Sequence, residues 1–180
     1  MSEEREDIFT KDSDYALFVG KKFGYYVRRW NVILKEKCNN DIEKLKKREM
    51  SHISFNICAF FFTYFWDFYR KMYARGILTL FGIIAASFVS PVFQVIAWIA
   101  SMVAYGMYGN GVYFSYVNKK IEKLKKEIQN PDILKSEIIN TGGTSKIAVF
   151  VGILVISVLI LIGIAIQEEN VKNENSNSSG

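Results

Sequence analysis

The stretch GILTLFGIIAASFVSPVFQVIAWIASMVAYGMYGNGVYFSYVN, residues 76–118, contains 43 residues and no Lys, Arg, Asp or Glu. A helix needs about 20 residues to cross a hydrocarbon core of about 30 Å, so this stretch is long enough for two spans. Pro91 lies near its middle, and proline disfavours helix at the preceding residue, here Ser90. The pattern therefore predicts a transmembrane hairpin over residues 73–116 that turns at Ser90-Pro91. A single helix with a proline kink is the alternative.

A second uncharged run, IAVFVGILVISVLILIGIAI, covers residues 147–166 and has the 20 residues that one span requires. Thr144 and Ser145 precede it, and their hydroxyls are suited to capping the free amides of a first helical turn. The run predicts a transmembrane helix. The polar residues 167–180 that follow predict a disordered tail. Two such runs exclude an ordinary soluble domain of this length.

Residues 53–72 combine a dense aromatic run with charged residues, unlike either uncharged run. Aromatic side chains concentrate at the membrane boundary, and an acid at mid-bilayer costs about 2.5–3.5 kcal/mol. The segment therefore predicts an interfacial or re-entrant helix, and a further span is the alternative. Asp67 is a candidate functional acid, because acids at membrane depth are usually functional. Arg70 and Lys71 follow it at i+3 and i+4, which predicts helical ion pairs as the structural alternative.

Basic residues collect in residues 1–52, 70–75 and 117–146, whereas the tail after Gln167 holds one Lys and three Glu. Loops rich in Lys and Arg stay on the cytoplasmic side of a membrane. The charges therefore predict a cytoplasmic N-terminus and an external C-terminus. The predicted fold class is an all-α polytopic membrane protein with about three transmembrane helices. Residues 1–52 form its helical cytoplasmic N-terminal region, and residues 117–146 form a basic cytoplasmic helix and loop.

Two basic helices are predicted on the cytoplasmic side, and the first places Phe18, Tyr25 or Tyr26, and Trp30 on one face. That face predicts either the core of a small helical domain or a surface for a membrane or a partner. Anionic lipid is a predicted partner because each basic residue near an anionic leaflet is worth about 1 kcal/mol. A protein partner and a homo-oligomer are also predicted, and nucleic acid is not, because topology accounts for the net charge of +5. The predicted lipid or partner contacts are Lys21, Lys22, Arg28, Arg29, Trp30, Lys119, Lys120 and Lys123.

Groups suited to catalysis are scarce, since the chain has one histidine, His52, and two cysteines, Cys38 and Cys58. No histidine-based metal centre or triad can be built from them, so no catalytic residue, metal site or cofactor is predicted. The sequence favours a structural or regulatory membrane module over an enzyme. Such a module would bind a protein partner or anionic lipid through its basic cytoplasmic segments. A small oligomeric transporter or channel is the alternative, although the predicted spans offer few polar residues to line a path.

The string FNICAFFFTYFWDFYRKMYARGIL, residues 55–78, resembles the signature of a bacterial membrane family known as domain of unknown function 2628. Three other pieces look like the same family: FVGKKFGYYVRRW at 18–30, YGNGVYFSYVNKKI at 108–121 and GGTSK at 142–146. The resemblance implies a bacterial envelope protein and implies no activity. Together with the charge distribution it predicts the bacterial cytoplasmic (inner or plasma) membrane. The residues that carry the family-like motif are Phe55, Asn56, Trp66, Tyr69, Arg70, Lys71, Met72 and Tyr73.

Overall fold

The computed structural model of the chain describes residues 9–10, 13–38 and 55–177. Every regular element in those ranges is helical, which confirms the all-α prediction for the described part of the chain. A 3-10 turn at Gly20–Lys22 joins the first two helices. The helices are α1 (Asp14–Val19), α2 (Phe23–Cys38), α3 (Ile57–Tyr69), α4 (Tyr73–Ser87), α5 (Pro91–Glu127), α6 (Pro131–Thr141) and α7 (Lys146–Asn177). Residues 39–52 of the predicted N-terminal region lie outside the described ranges.

Helices α4 and α5 pack against each other as a helical hairpin. The turn falls where the sequence predicts it, because Pro91 is the first residue of α5 and Ser90 caps that helix. The Ser90 hydroxyl accepts a hydrogen bond from the Phe93 amide at 3.1 Å. Proline is favoured at the first helical position, where its missing amide proton has no partner to lose. The alternative of one kinked helix across Ser90-Pro91 is therefore wrong.

The two halves of α5 differ in what surrounds them. From Pro91 to Ala104 most of its large apolar side chains are exposed, as at Val92 and Ile96, whereas buried residues run from Tyr105 to Ile121. Exposed apolar side chains also cover α4 and the start of α7. Two stretches are long and apolar enough to cross a membrane: α5, and Pro131–Val158, which takes in α6 and the first turns of α7. Helix α4 is apolar but shorter, with 15 residues.

Helices α1 and α2 pack on the half of α5 that begins at Tyr105, around an aromatic core. Trp30 has no exposed surface, and its indole nitrogen donates a hydrogen bond to the carbonyl of Asn110 at 3.1 Å. The rings of Tyr26 and Tyr113 lie 4.7 Å apart between centroids. These contacts confirm the core alternative for the aromatic face of α2. The prediction of Trp30 as a lipid or partner contact is wrong, because the indole is enclosed by α5.

A short link between α6 and α7 ties the end of the fold to its beginning. The Gly143 amide donates to the Phe18 carbonyl at 2.6 Å, and the Ser145 amide donates to the Tyr69 carbonyl at 2.9 Å. Gly142 is needed here, because a Cβ on it would lie 2.1 Å from the Phe18 carbonyl oxygen. The Ser145 hydroxyl accepts from the Ala148 amide at 3.1 Å, which confirms the predicted cap of the last helix.

Helix α7 is longer than the sequence analysis predicts. It continues to Asn177, whereas the predicted span ends at Ile166 and disorder is predicted from residue 167. Residues 164–177 contain no glycine or proline, and Gln, Glu and Lys are good helix formers. An established helix therefore meets no residue that would end it, and the prediction of disorder for residues 167–177 is wrong.

Candidate functional site

The last part of the family-like motif, Tyr69–Tyr73, forms the turn between α3 and α4. Helix α3 ends at Tyr69, Arg70 is its C-cap, and Lys71 takes a left-handed backbone conformation with φ of 60°. The Met72 amide returns to the carbonyl of Asp67 at 2.9 Å. A lysine at positive φ is uncommon, and such positions persist where neighbouring structure enforces them. Here the Lys71 ammonium donates to the Asn140 carbonyl of α6 at 2.7 Å, which holds the turn from outside.

Asp67 forms a buried polar cluster with α4 and α5. Its carboxylate has no exposed surface, accepts a hydrogen bond from the Tyr105 hydroxyl, and lies 3.5 Å from the Arg75 guanidinium. The Tyr105 hydroxyl is also 2.8 Å from that of Thr79, and Arg75 lies over the Tyr105 ring at 4.4 Å. The predicted pairing of Asp67 with Arg70 or Lys71 is wrong. Lys71 leaves the helical conformation, so it loses the i+4 position, whereas Arg70 continues the helical hydrogen bonding but directs its side chain toward Tyr26 and Tyr113.

Arg70 points away from Asp67, toward α2 and α5, and only 4% of it is exposed. Its guanidinium lies 4.6 Å from the Tyr26 ring centroid and 5.0 Å from that of Tyr113. Within the described residues it forms no ion pair, and its Nε and Nη1 atoms have no hydrogen-bond partner. Cation–π contacts supply about 0.5–2 kcal/mol, whereas burying an ion costs several kcal/mol. The aromatic rings therefore offset only part of the desolvation of Arg70.

The phenol of Tyr26 is buried and lies close to the positive charge of Arg70. Burial raises the pKa of Tyr26 to about 12, and the positive charge of Arg70 opposes part of that rise. The phenol therefore stays protonated at neutral pH. A neutral phenol gives Arg70 a polarisable ring but no compensating negative charge.

Asn56 connects the start of α3 to the core. Its side-chain oxygen accepts from the Ala59 amide at 3.0 Å and caps α3, while its side-chain amide donates to Asn110 at 2.9 Å. The Asn56 backbone amide donates to the Gly106 carbonyl at 2.8 Å. A Cβ at Gly106 would lie 2.5 Å from the Phe55 ring, so glycine allows this close approach. The first two motif residues therefore have structural roles at the α3–α5 contact.

Two cavities flank the motif. The larger, about 950 Å³, lies between α4 and α5, and we call it the α4–α5 cleft. Its cationic lining residues are Lys71, Arg75, Lys119 and Lys120. The smaller, about 410 Å³, lies between α2, α3 and the start of α7, and we call it the Arg70 pocket. Its lining residues are Lys22, Tyr25, Tyr26, Asn56, Cys58, Phe62, Phe65, Trp66, Tyr69, Arg70 and Val149.

The basic residues predicted to contact lipid or a partner do not form one surface in the structure. Lys21, Lys22, Arg28, Lys119 and Lys123 are exposed, and Lys120 is half-buried. Arg29 is instead held against its own helix, with its guanidinium 3.5 Å from the Tyr25 ring centroid. Lys119 and Lys120 line the α4–α5 cleft and Lys22 lines the Arg70 pocket, whereas Lys123 pairs with Glu127 at 3.6 Å.

Sequence reasoning missed Arg75, Tyr105 and Asn110. Arg75 could have been noticed, because it is the last charged residue before the uncharged run. Tyr105 and Asn110 lie inside that run, and no nearby sequence pattern distinguishes them. Among the described residues, no group of three or more His, Cys, Asp or Glu side chains is placed to hold a metal ion.

The described residues form an all-helical fold that includes two stretches long and apolar enough to cross a membrane. The sequence model of the family described as "Protein of unknown function (DUF2628)" matches residues 20–119, more than half of the chain, and the protein belongs to this family. The match contains the motif at 55–73, which confirms the predicted family, while the GGTSK piece at 142–146 lies beyond it. No curated protein and no solved structure matches the chain.

Proposed function

We propose that this protein is an integral membrane module of the bacterial cytoplasmic membrane with three spans. The spans are α4 with its following turn, α5 from Pro91 to about residue 116, and α7. Residues 73–89 form a run of about 17 residues, the short limit for a span. Exposed apolar side chains on all three segments support this placement, because large exposed apolar surfaces need a nonaqueous partner.

Helix α3 lies at the inner membrane boundary in this arrangement. The Tyr69 carbonyl, at the end of α3, contacts the Ser145 amide just before α7 begins. Phe68 packs against Gly152, two helical turns into α7, so part of α3 reaches membrane depth. With 13 residues, α3 is too short to cross. These contacts support the interfacial or re-entrant prediction over a further span.

Cysteine accessibility tests the topology. Cys38 and Cys58 are replaced by Ser, and single cysteines are introduced at His52, Ala74, Asn130 or Lys172 for labelling of intact cells with a membrane-impermeant reagent. We expect labelling at position 172 alone. Labelling at position 52 as well, with 74 and 130 protected, would overturn the three-span topology and place a fourth span in residues 53–69.

We further propose that the module binds anionic lipid at its cytoplasmic side. The observation that carries this proposal is the clustering of Lys71, Arg75, Lys119 and Lys120 around the α4–α5 cleft. Asp67 pairs with Arg75, and the residues that line the cleft include four cations and no Asp or Glu. Tyrosines line the same cleft, and tyrosine is enriched at membrane boundaries, where its ring and hydroxyl meet apolar and wet surroundings.

The lipid test compares two double variants of the full chain in mild detergent. Lys119→Gln/Lys120→Gln removes two cleft charges. The matched control, Lys126→Gln/Lys135→Gln, removes two exposed charges outside the cleft. At about 1 kcal/mol per basic residue, we expect the cleft variant to retain phosphatidylglycerol at least about tenfold less well, and the control to match the parent. Native mass spectrometry measures retention against phosphatidylcholine. Equal retention of both lipids by the parent would refute lipid selectivity, and capture of one protein by the cleft instead would favour a protein partner.

A further inference from the structure

The Arg70 pocket contains a buried cation without a buried anion. Arg70 is 4% exposed, lines the pocket, and has Nε and Nη1 without hydrogen-bond partners among the described residues. Asp67 belongs to the same helix but is directed to Arg75. Charge-assisted hydrogen bonds from arginine to carboxylate or phosphate are strong, because the planar fork of donors matches two oxygens. The buried charge of Arg70 therefore has no anionic partner among the described residues, and an anion in the pocket would offset it.

The remaining walls of the pocket indicate what the anion is attached to. Lys22 supplies a second cation, while Phe62, Phe65 and Val149 form an apolar side toward α7. Phe62 is more than half exposed, so the apolar wall continues onto the outer surface of α3. A volume of about 410 Å³ lies within the range of small-molecule sites. A free inorganic anion would leave this apolar wall without a partner.

We propose that the Arg70 pocket binds a single-chain anionic amphiphile, with its carboxylate or phosphate head on Arg70 and Lys22. Its acyl chain lies along Phe62, Phe65 and Val149. This site is separate from the α4–α5 cleft and rests on the proposed function only in that membranes supply such molecules. Retaining an amphiphile here would bridge α2, α3 and α7, whose residues all line the pocket.

Cys58 provides a direct readout of occupancy, since it is exposed and lines the pocket. The experiment uses the full chain with Cys38→Ser in dodecyl maltoside, so that Cys58 is the one remaining thiol. The rate of maleimide labelling is measured with oleate, oleoyl lysophosphatidate, monoolein or inorganic phosphate. We expect at least one of the two anionic amphiphiles to slow labelling about tenfold or more, and monoolein and phosphate to leave the rate unchanged. The amphiphile that protects identifies the head group.

Variants distinguish binding of the amphiphile in the pocket from its general partitioning into the detergent micelle. Arg70→Gln should raise the half-protecting concentration at least about tenfold, which is about 1.4 kcal/mol of affinity. Arg28→Gln removes the same charge from an exposed position of α2 and should leave it unchanged. If Arg70→Gln loses the near-ultraviolet circular dichroism of the folded chain, two other variants test whether the amphiphile binds in the pocket, Lys22→Gln and Val149→Trp. The first should weaken protection, and the second should slow labelling without ligand and abolish the further effect of the amphiphile.

Three results would overturn the proposal: no protection by either amphiphile, equal protection in Arg70→Gln and Arg28→Gln, or equal protection by inorganic phosphate. The second result indicates micelle partitioning and the third a free-anion site. Lys119→Gln/Lys120→Gln should keep full protection of Cys58. Loss of lipid retention in that variant therefore reports on the α4–α5 cleft alone, and the two proposals can fail separately.

Discussion

The ion pair between Asp67 and Arg75 predicts strong energetic coupling between these two residues. Asp67→Asn removes the charge but keeps an oxygen that accepts the Tyr105 hydroxyl, and Arg75→Gln removes the opposite charge. At 3.5 Å and an effective dielectric of about 20, the Coulomb attraction is roughly 5 kcal/mol before desolvation. Arg75 is 29% exposed, so solvent screens part of this attraction. We expect each single change to cost about 2–3 kcal/mol and the coupling energy to be about 1–3 kcal/mol.

A double-mutant cycle measures this coupling. Parent, both single variants and the double variant are unfolded thermally in one detergent, with near-ultraviolet circular dichroism following the tertiary contacts. One kcal/mol corresponds to roughly 2–4 °C in Tm for a chain of this size, so each single variant should fall by about 4–12 °C. The double variant should fall by less than the sum of the two. Arg28→Gln, an exposed charge on α2, serves as control and should stay within about 1 °C. Additive losses would refute a direct pair and leave Asp67 open to the functional role predicted from sequence.

Three further changes probe the core, the α6–α7 link and a buried phenol. Trp30→Ala should lower the free energy of unfolding by about 3–5 kcal/mol in the same assay, because the indole is fully buried and the Asn110 carbonyl loses its donor. Gly142→Ala should lower the Tm, because its Cβ would lie 2.1 Å from the Phe18 carbonyl oxygen. Gly24→Ala is the control, because its Cβ would have nothing within 4 Å, and its Tm should match or exceed that of the parent. Equal Tm values for the two variants would contradict this prediction. The pKa of Tyr26 in the folded chain, about 12, lies above its ordinary value of 10.0. The contribution of Tyr26 to the free energy of unfolding is therefore fully present below pH 10 and is lost as the pH rises through 12. Tyr26→Phe should therefore lose less stability than the parent between these pH values, and parallel pH profiles would argue against it.

Local sequence signals predicted the helices well where a single residue or run is sufficient. Pro91 after Ser90 placed the hairpin turn, because proline constrains its own and the preceding residue. The hydroxyl of Ser145 placed the start of α7, because a cap needs only a backbone amide three residues further along the chain. The end of α7 was misplaced, since polar composition suggests disorder but does not prevent an established helix from continuing.

The sequence by itself determined the all-α class, the two uncharged runs, the hairpin turn and membership of the family. All of these follow from composition, from spacing within about 20 residues, or from a recognisable string. Only the tertiary structure decided that Asp67 pairs with Arg75 and that Arg70 is buried between tyrosines of α2 and α5. Helical spacing describes neighbours on one helix, and the left-handed turn at Lys71 ends that relation. Trp30 shows the same limit, because an aromatic helix face looks identical whether lipid, a partner or α5 covers it.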